Sequence, residues 1–330
     1  MMRSRFLPRA ALCLFALAFA GQAHATDDAE PVALTVLLDW FVNPDHAPLI
    51  VAEQQGWFEQ AGLEVTFVEP ADPSLPPKLV AAGRADLAIT YQPQLHVQAD
   101  AGLPLVRIAT LVATPLNALV VLADGPIRTI ADLDGKRVGY SVGGFEDALL
   151  GTMLESHGLT LDAVELINVN FSLSPSLLSG QVDAVIGAFR NFELNQMDIE
   201  GRPGRAFFPE EEGVPAYDEL IVVAHRDRLA EGPDAAALNA FTGVLERAAA
   251  FIVNRPEQAW KVFAASDADG LDNELNRRAW RDTVPRFALR PAALDGARYE
   301  RFAGFMRARG LIDAPPALDT YARQLPGPPR

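Results

Sequence analysis

One cysteine, Cys13, is all the chain offers among 330 residues, so it can form no internal disulfide and no cluster of thiolates to hold a metal. Basic charge is scarce too: 28 Lys and Arg stand against 43 Asp and Glu, a formal net charge of -15. That balance repels phosphate backbones and anionic headgroups, and nucleic acid is not expected as a partner. His46, His96, His157 and His225 lack H-x-x-x-H spacing, and neither G-x-x-x-x-G-K-[ST] nor G-x-G-x-x-G occurs. No metal and no cofactor are therefore expected. Nor does any apolar run read as long enough to span a bilayer, which takes roughly 20 residues.

What is present is a globular composition, 49% hydrophobic and 22% charged, long enough for two packed lobes. Arg3, Arg5 and Arg9 precede an apolar run from Ala10 to Ala20, and Ala23-His24-Ala25 supplies the small residues of a cleavage site. The pattern predicts a signal peptide over 1–25, cut after Ala25, and a periplasmic mature chain. Cys13 lies inside the apolar run without a lipobox before it, which argues against a lipid anchor. Losing three arginines and no acid makes the remainder more acidic still.

Short β-rich runs alternate with helical spacing through the first two thirds. Strands are predicted at Leu34–Leu38, Leu63–Val68, Asp86–Thr90, Val106–Val112, Ala118–Leu122, Arg137–Ser141, Val164–Val169 and Ala184–Gly187. Helices are predicted at His46–Gln60, Leu75–Ala82, Glu146–Gly158 and Pro175–Leu178, and after a further strand, Leu220–Ala224, the chain turns helical from Leu229 onward. The alternation implies parallel sheets covered on both faces. An internal echo stands out: Gly83-Arg-Ala-Asp86-Leu-Ala-Ile89 and Gly180-Gln-Val-Asp183-Ala-Val-Ile186 share G-x-x-D-x-x-I, each between a helix and a buried strand. Glycine there ends a helix and aspartate takes the turn into the strand. Duplication of one α/β lobe follows, with lobe 1 expected over 26–117 and 222–330 and lobe 2 over 118–221. Exported, acidic, two-lobed α/β chains suit a clamshell receptor that closes by hinge motion on a small molecule.

Four segments are candidates for the ligand. Asp39-Trp40-Phe41-Val42-Asn43-Pro44-Asp45-His46 follows the first strand, where open α/β sheets bind ligands. Trp40 can stack on a ring while Asp39 and His46 hydrogen-bond to it; a core Trp40, a surface His46 and an N-capping Asp45 would equally fit the spacing. Tyr91, after the first echo, and Phe189, after the second, hold matching places that could face one cleft. The turn Gly143-Gly144-Phe145-Glu146 offers backbone N–H groups to an anion or carbonyl, or simply opens a helix with an acid. Tyr217 and Glu219 precede the strand that carries the chain back to lobe 1. A rival reading is a hydrolase: Gly139-Tyr140-Ser141-Val142-Gly143 matches G-x-S-x-G and is followed by Asp183 and His225, though without an oxyanion segment.

The run Leu38-Asp39-Trp40-Phe41-Val42-Asn43-Pro44-Asp45-His46, followed by Val51-Ala-Glu-Gln-Gln-Gly-Trp-Phe58, Ala61-Gly-Leu-Glu-Val65 and Gly213-Val-Pro-Ala-Tyr-Asp-Glu-Leu220, resembles the NMT1/THI5-like family. Within it the chain is most similar to periplasmic receptors of ABC importers for thiamine pyrimidine precursors. The resemblance implies a type II periplasmic-binding-protein fold with a helical C-terminal segment. It also implies a hydroxymethylpyrimidine or formylaminopyrimidine ligand, a membrane permease as partner, and a monomer. Carried over by position, it assigns ligand contact to Asp39, Trp40 and His46, to Gly143, Gly144 and Glu146, and to Tyr217 and Glu219. Val42 and Pro48 depart from the family pattern in the first segment. Fungal members are enzymes that build the pyrimidine from their own histidine and pyridoxal phosphate; this chain has His46 but no cysteine cluster, so a non-enzyme is expected. Other relatives bind sulfonates, nitrate or flavin precursors, whereas the segments here are rich in carboxylate and aromatic groups.

Overall fold

The computed structural model describes residues 30–314 and 316–326. The expected leader over 1–25, Cys13 included, lies outside the described residues, as does the end of the expected tail, 327–330.

The first half of the fold is built from β1 (Val32–Leu37), α1 (Ala47–Gln54), α2 (Trp57–Gln60), β2 (Leu63–Val68), α3 (Pro76–Ala81), β3 (Leu87–Thr90), α4 (Gln92–Asp100) and β4 (Leu105–Val112). The second half holds β5 (Asn117–Leu122), β6 (Arg137–Tyr140), α5 (Glu146–Ser156), β7 (Glu165–Asn168), α6 (Leu173–Leu178), β8 (Ala184–Phe189), α7 (Glu193–Ile199) and β9 (Gly204–Phe207). The chain returns to the first sheet through β10 (Leu220–His225). It ends in α8 (Pro233–Asn254), α9 (Pro256–Ala265), α10 (Ala268–Leu271), α11 (Glu274–Thr283), α12 (Gly296–Ala308) and α13 (Leu318–Tyr321).

Strand order is β2-β1-β3-β10-β4 in one sheet and β7-β6-β8-β5-β9 in the other. In each, a central strand runs parallel to two neighbours, β1 to β2 and β3, β6 to β7 and β8. In each, one strand is reversed, β10 against β3 and β4, β5 against β8 and β9. The sheets are thus mixed, not wholly parallel as the alternation implied. The reversed strands are those by which the chain enters a half from the other one, without a helical crossover to turn them parallel.

The echo has a structural counterpart. Gly83 and Gly180 adopt φ of 67° and 76°, the left-handed turn that closes α3 and α6. Asp86 then accepts the Thr35 N–H at 2.6 Å and gives its own N–H to the Thr35 carbonyl at 3.1 Å. Asp183 repeats both bonds with Arg137, each at 2.9 Å. Each aspartate clips the central strand of its sheet to the parallel strand beside it.

Both faces of both sheets are covered, as period-two alternation requires. Along β5, Ala118 and Val120 pack with Leu173 and Leu177 of α6, while Leu119 and Val121 pack with Leu150 and Met153 of α5. Along β10, Val222 and Ala224 share a core with Leu238, Phe241 and Leu245 of α8, while Ile221 and Val223 face Tyr299 and Tyr321. At 22 residues α8 is long and apolar enough by composition to cross a membrane, contrary to the expectation that no segment is, yet its apolar face is core. The predicted helix His46–Gln60 is interrupted: Gly56 sits at φ 63° and separates α1 from α2. Arg107, fully buried in β4, donates to the carbonyls of Pro291, Ala292, Ala293 and Arg323, tying the C-terminal segment to the sheet.

Candidate functional site

Four loops leave the carboxyl ends of β1, β3, β6 and β8, two from each half, and converge on one cavity. Asp39, Trp40, Asn43, Asp45, His46 and Tyr91 line it from the first half. Glu146, Leu173, Gly187, Phe189, Phe192 and Glu193 line it from the second. The cavity is narrow, about 30 Å³. A larger apolar groove of about 800 Å³ lies between α2 and α8, away from the strand ends; its one charged lining residue, Arg247, rests on the Trp57 ring.

The first-half wall is locked from within. Asn43 caps the turn Pro44–His46 by accepting the Asp45 N–H at 2.8 Å. The Asn43 N–H reaches His46 Nδ1 at 3.3 Å, so the imidazole proton belongs on Nε2, which donates to Asp39 Oδ1 at 2.9 Å. Tyr91 donates its hydroxyl to Asp39 Oδ2 at 2.8 Å. Burial, and the adjacent Asp39, push the Tyr91 phenol well above its usual range. Asp45 Oδ1 accepts from Thr283 of α11 at 2.8 Å and from Asn191 of the other half at 2.7 Å. Burial nevertheless raises Asp45 to about 6, against the pull of those two bonds and of His46.

The second-half wall is acidic and tied to its own loops. Glu146, the first residue of α5, accepts the N–H groups of Ser141 and Val142 on Oε2, at 2.7 and 3.0 Å. Glu193, the first residue of α7, accepts the Phe189 N–H at 2.6 Å. Burial is the main cause that raises Glu146 to about 8 and Glu193 to about 7; Glu219 and Asp147 add to the first, Asp45 to the second.

Aromatic rings close the remaining sides. Tyr91 stacks on Phe145 at 5.0 Å between centroids and meets Phe189 edge-on at 6.4 Å. Trp40 meets Phe171 of the second half edge-on at 4.7 Å, and Phe41 lies 4.9 Å from the same ring.

Of the residues singled out from sequence, Asp39, Trp40, His46, Tyr91, Glu146 and Phe189 line the cavity. Gly143, Gly144, Tyr217 and Glu219 do not. The turn amides expected to hold an anion are already taken: Gly144 N–H donates to Asp147 at 2.8 Å, and those of Ser141 and Val142 go to Glu146. Gly143 and Gly144 themselves are exposed. Tyr217 is buried in the core against Phe302, 5.4 Å between centroids. Glu219 acts at the crossover: its Oε2 accepts the N–H groups of Leu116 and Asn117 at 2.6 and 2.9 Å, binding the start of β10 to the start of β5. The hydrolase reading fails on geometry. Ser141 donates to the Asn170 carbonyl, Asp183 pairs with Arg137, and His225 Nδ1 accepts the Asp227 N–H, so no triad assembles. No group of three or more His, Cys, Asp or Glu suited to a metal occurs among the described residues.

Sequence reasoning missed Asp45 and Glu193 as wall residues. Asp45 stood in the quoted motif but read as a cap, a role that falls to Asn43. Gly187 was also missed: it lies inside β8 at φ 99°, where a Cβ would sit 2.5 Å from Glu146 Oε1. Glycine within a strand signals such close approach.

A family model described as NMT1/THI5 like matches residues 43–259. The putative thiamine biosynthesis protein of Haemophilus influenzae is 54% identical over 88% of this chain and 92% of its own. The formylaminopyrimidine-binding protein of Halalkalibacterium halodurans is 34% identical over 76% of each chain. At 26% identity, over 74% of this chain and 72% of its own, stands the 4-amino-5-hydroxymethyl-2-methylpyrimidine phosphate synthase of Schizosaccharomyces pombe. Among solved structures, the alkanesulfonate-binding protein SsuA from Xanthomonas axonopodis pv. citri, bound to MOPS, matches with a TM-score of 0.69 at 20% identity. That match covers 89% of this chain and 99% of the other, and the likeness is one of fold.

Proposed function

The chain belongs to the NMT1/THI5-like family, and from that premise we propose that it is the periplasmic solute receptor of an ABC importer, holding a thiamine pyrimidine precursor between its two halves. The observation that carries the ligand class is the make-up of the cavity wall. Carboxylates and aromatic rings approach from both halves, and neither Lys nor Arg is among the lining residues. An amino-substituted heterocycle offers N–H donors to the first and a flat face to the second. A sulfonate, nitrate or phosphorylated ligand would find no Lys or Arg in the wall to offset its charge.

The narrow cavity supports uptake by hinge motion. A volume near 30 Å³ suits one or two waters, so a ring enters when the halves part. The segments 113–116 and 208–219 cross between the sheets, and Glu219 ties their ends together. In this reading Trp40 and Tyr91 give the ring its aromatic faces, Glu146 and Glu193 meet its polar edge, and Asp39 and His46 keep the first wall in shape.

Binding without catalysis is the companion proposal. His46 is fully buried with both ring nitrogens engaged, leaving neither free to react. Export with cleavage after Ala25, a monomeric state and delivery to a membrane permease complete the reading. Purification from the periplasmic fraction, N-terminal sequencing, and mass spectrometry of small molecules released on denaturation test it. An aminopyrimidine released from a chain beginning at Thr26 is the expected result; a released sulfonate, or a cytoplasmic chain retaining residues 1–25, contradicts it.

A further inference from the structure

Glu146 and Glu193 are built alike. Each opens a helix, spends one oxygen on backbone N–H groups of the loop before it, and leaves the other oxygen with no hydrogen bond among the described residues. Both line the cavity while being only 3% and 8% exposed. The seat of Glu146 depends on Gly187, which lies inside β8 at φ 99° and where a Cβ would stand 2.5 Å from Glu146 Oε1.

Asp39 and Asp45 bring the lining acids to four, and His46 is the lone lining group able to carry positive charge. Its Nε2 is already committed to Asp39. Buried carboxylates without cations stay in a dry cavity only if protons, or a positively charged solute, neutralise them. The groups that face Glu146 give no such help: Asp147 on its own helix, Glu219 just before β10, and Tyr91 at the head of α4. All three would carry negative charge if ionised.

Building on the pyrimidine reading, we propose that Glu146 binds the ligand in its protonated form, donating its O–H to a ring nitrogen while Glu193 accepts from the exocyclic amine. No proton is exchanged with solvent. A carboxyl raised to about 8 by burial still carries its proton at neutral pH.

Isothermal titration of the purified receptor with hydroxymethylpyrimidine from pH 6 to 9.5 tests the need for that proton. Affinity is expected to fall about tenfold per pH unit above about pH 8, where Glu146 has no proton to give. Glu146→Gln, whose amide can donate but does not titrate, should keep binding and lose that alkaline fall. Independent of any variant, the N-methylated pyrimidinium of the same probe should release close to one proton at pH 7, read from binding heats in phosphate and Tris, while the neutral probe releases none. Affinity constant across the range, an alkaline fall kept by a folded Glu146→Gln, or no proton release with the pyrimidinium overturns the proposal while leaving the receptor reading intact. Failure of both hydroxymethylpyrimidine and formylaminopyrimidine to bind at any pH overturns the two together.

Discussion

Asn191 donates its side-chain N–H to Asp45 Oδ1 at 2.7 Å, joining the loop after β8 to the loop after β1 across the cavity. The same amide reaches Thr283 of α11 at 2.7 Å, and Asn191 is fully buried. One side chain of the second half thereby holds a wall carboxylate and a C-terminal helix of the first. Asn191→Ala should cost about 1 to 3 kcal/mol of the closed arrangement. Small-angle scattering on the ligand-saturated receptor should then show a larger radius of gyration than wild type, with weaker affinity; an unchanged radius and affinity would remove this bond from closure.

Two glycines separate a built site from a strained turn. Gly187→Ala places a methyl 2.5 Å from Glu146 Oε1 in a left-handed conformation, and should cost about 2 kcal/mol or more of stability as well as most of the affinity. Gly144→Ala meets open space at φ 93° and should cost only about 1 to 2 kcal/mol, with ligand affinity kept. Urea unfolding and titration calorimetry on both variants give the comparison. Loss of binding in Gly144→Ala would return the glycine turn to the ligand site.

Stability should fall as pH rises from about 4.5 to about 8. Burial raises Asp45 to about 6, Glu193 and Glu219 to about 7 and Glu146 to about 8, so in this window the folded chain keeps protons that the unfolded chain has lost. His96 opposes the trend. Its folded value is lowered to about 3 by burial, so below its ordinary value of 6.5 it favours the unfolded chain, but it is one group against four. Urea midpoints at pH 5.5 and 8.5 decide the sign: the lower pH should be the more stable, and Glu146→Gln should narrow the difference.

Trp40 lines the cavity and packs on Phe171 of the opposite half. Trp40→Ala should weaken ligand binding by about 2 to 4 kcal/mol through lost stacking and buried area. The melting temperature without ligand should change little, because Trp40 is only partly buried. Unchanged affinity would take Trp40 out of the site.

The fold was legible wherever a local rule repeats. The G-x-x-D-x-x-I echo announced two like halves because one aspartate clip, Asp86 to Thr35 and Asp183 to Arg137, is needed at the same step of each. The reversed strands were not legible: β5 and β10 are apolar runs like their parallel neighbours, and direction is set by where the chain crosses. In the site, Trp40, Tyr91 and Phe189 could be found because they end strands. Asp45 read as a capping acid and Glu193 carried no motif; burial marks both, and contact across the halves marks Asp45. Tyr217 and Glu219 were legible as special but not for their place, one in the core and one strapping the crossover.

The acid-and-aromatic cleft should take an aminopyrimidine and refuse anions. Titration calorimetry of the purified receptor against hydroxymethylpyrimidine, formylaminopyrimidine, taurine and nitrate at pH 7 decides it. Saturable one-to-one binding of a pyrimidine and no heat from taurine or nitrate are expected. Tight binding of either anion, with none of either pyrimidine, would overturn this assignment.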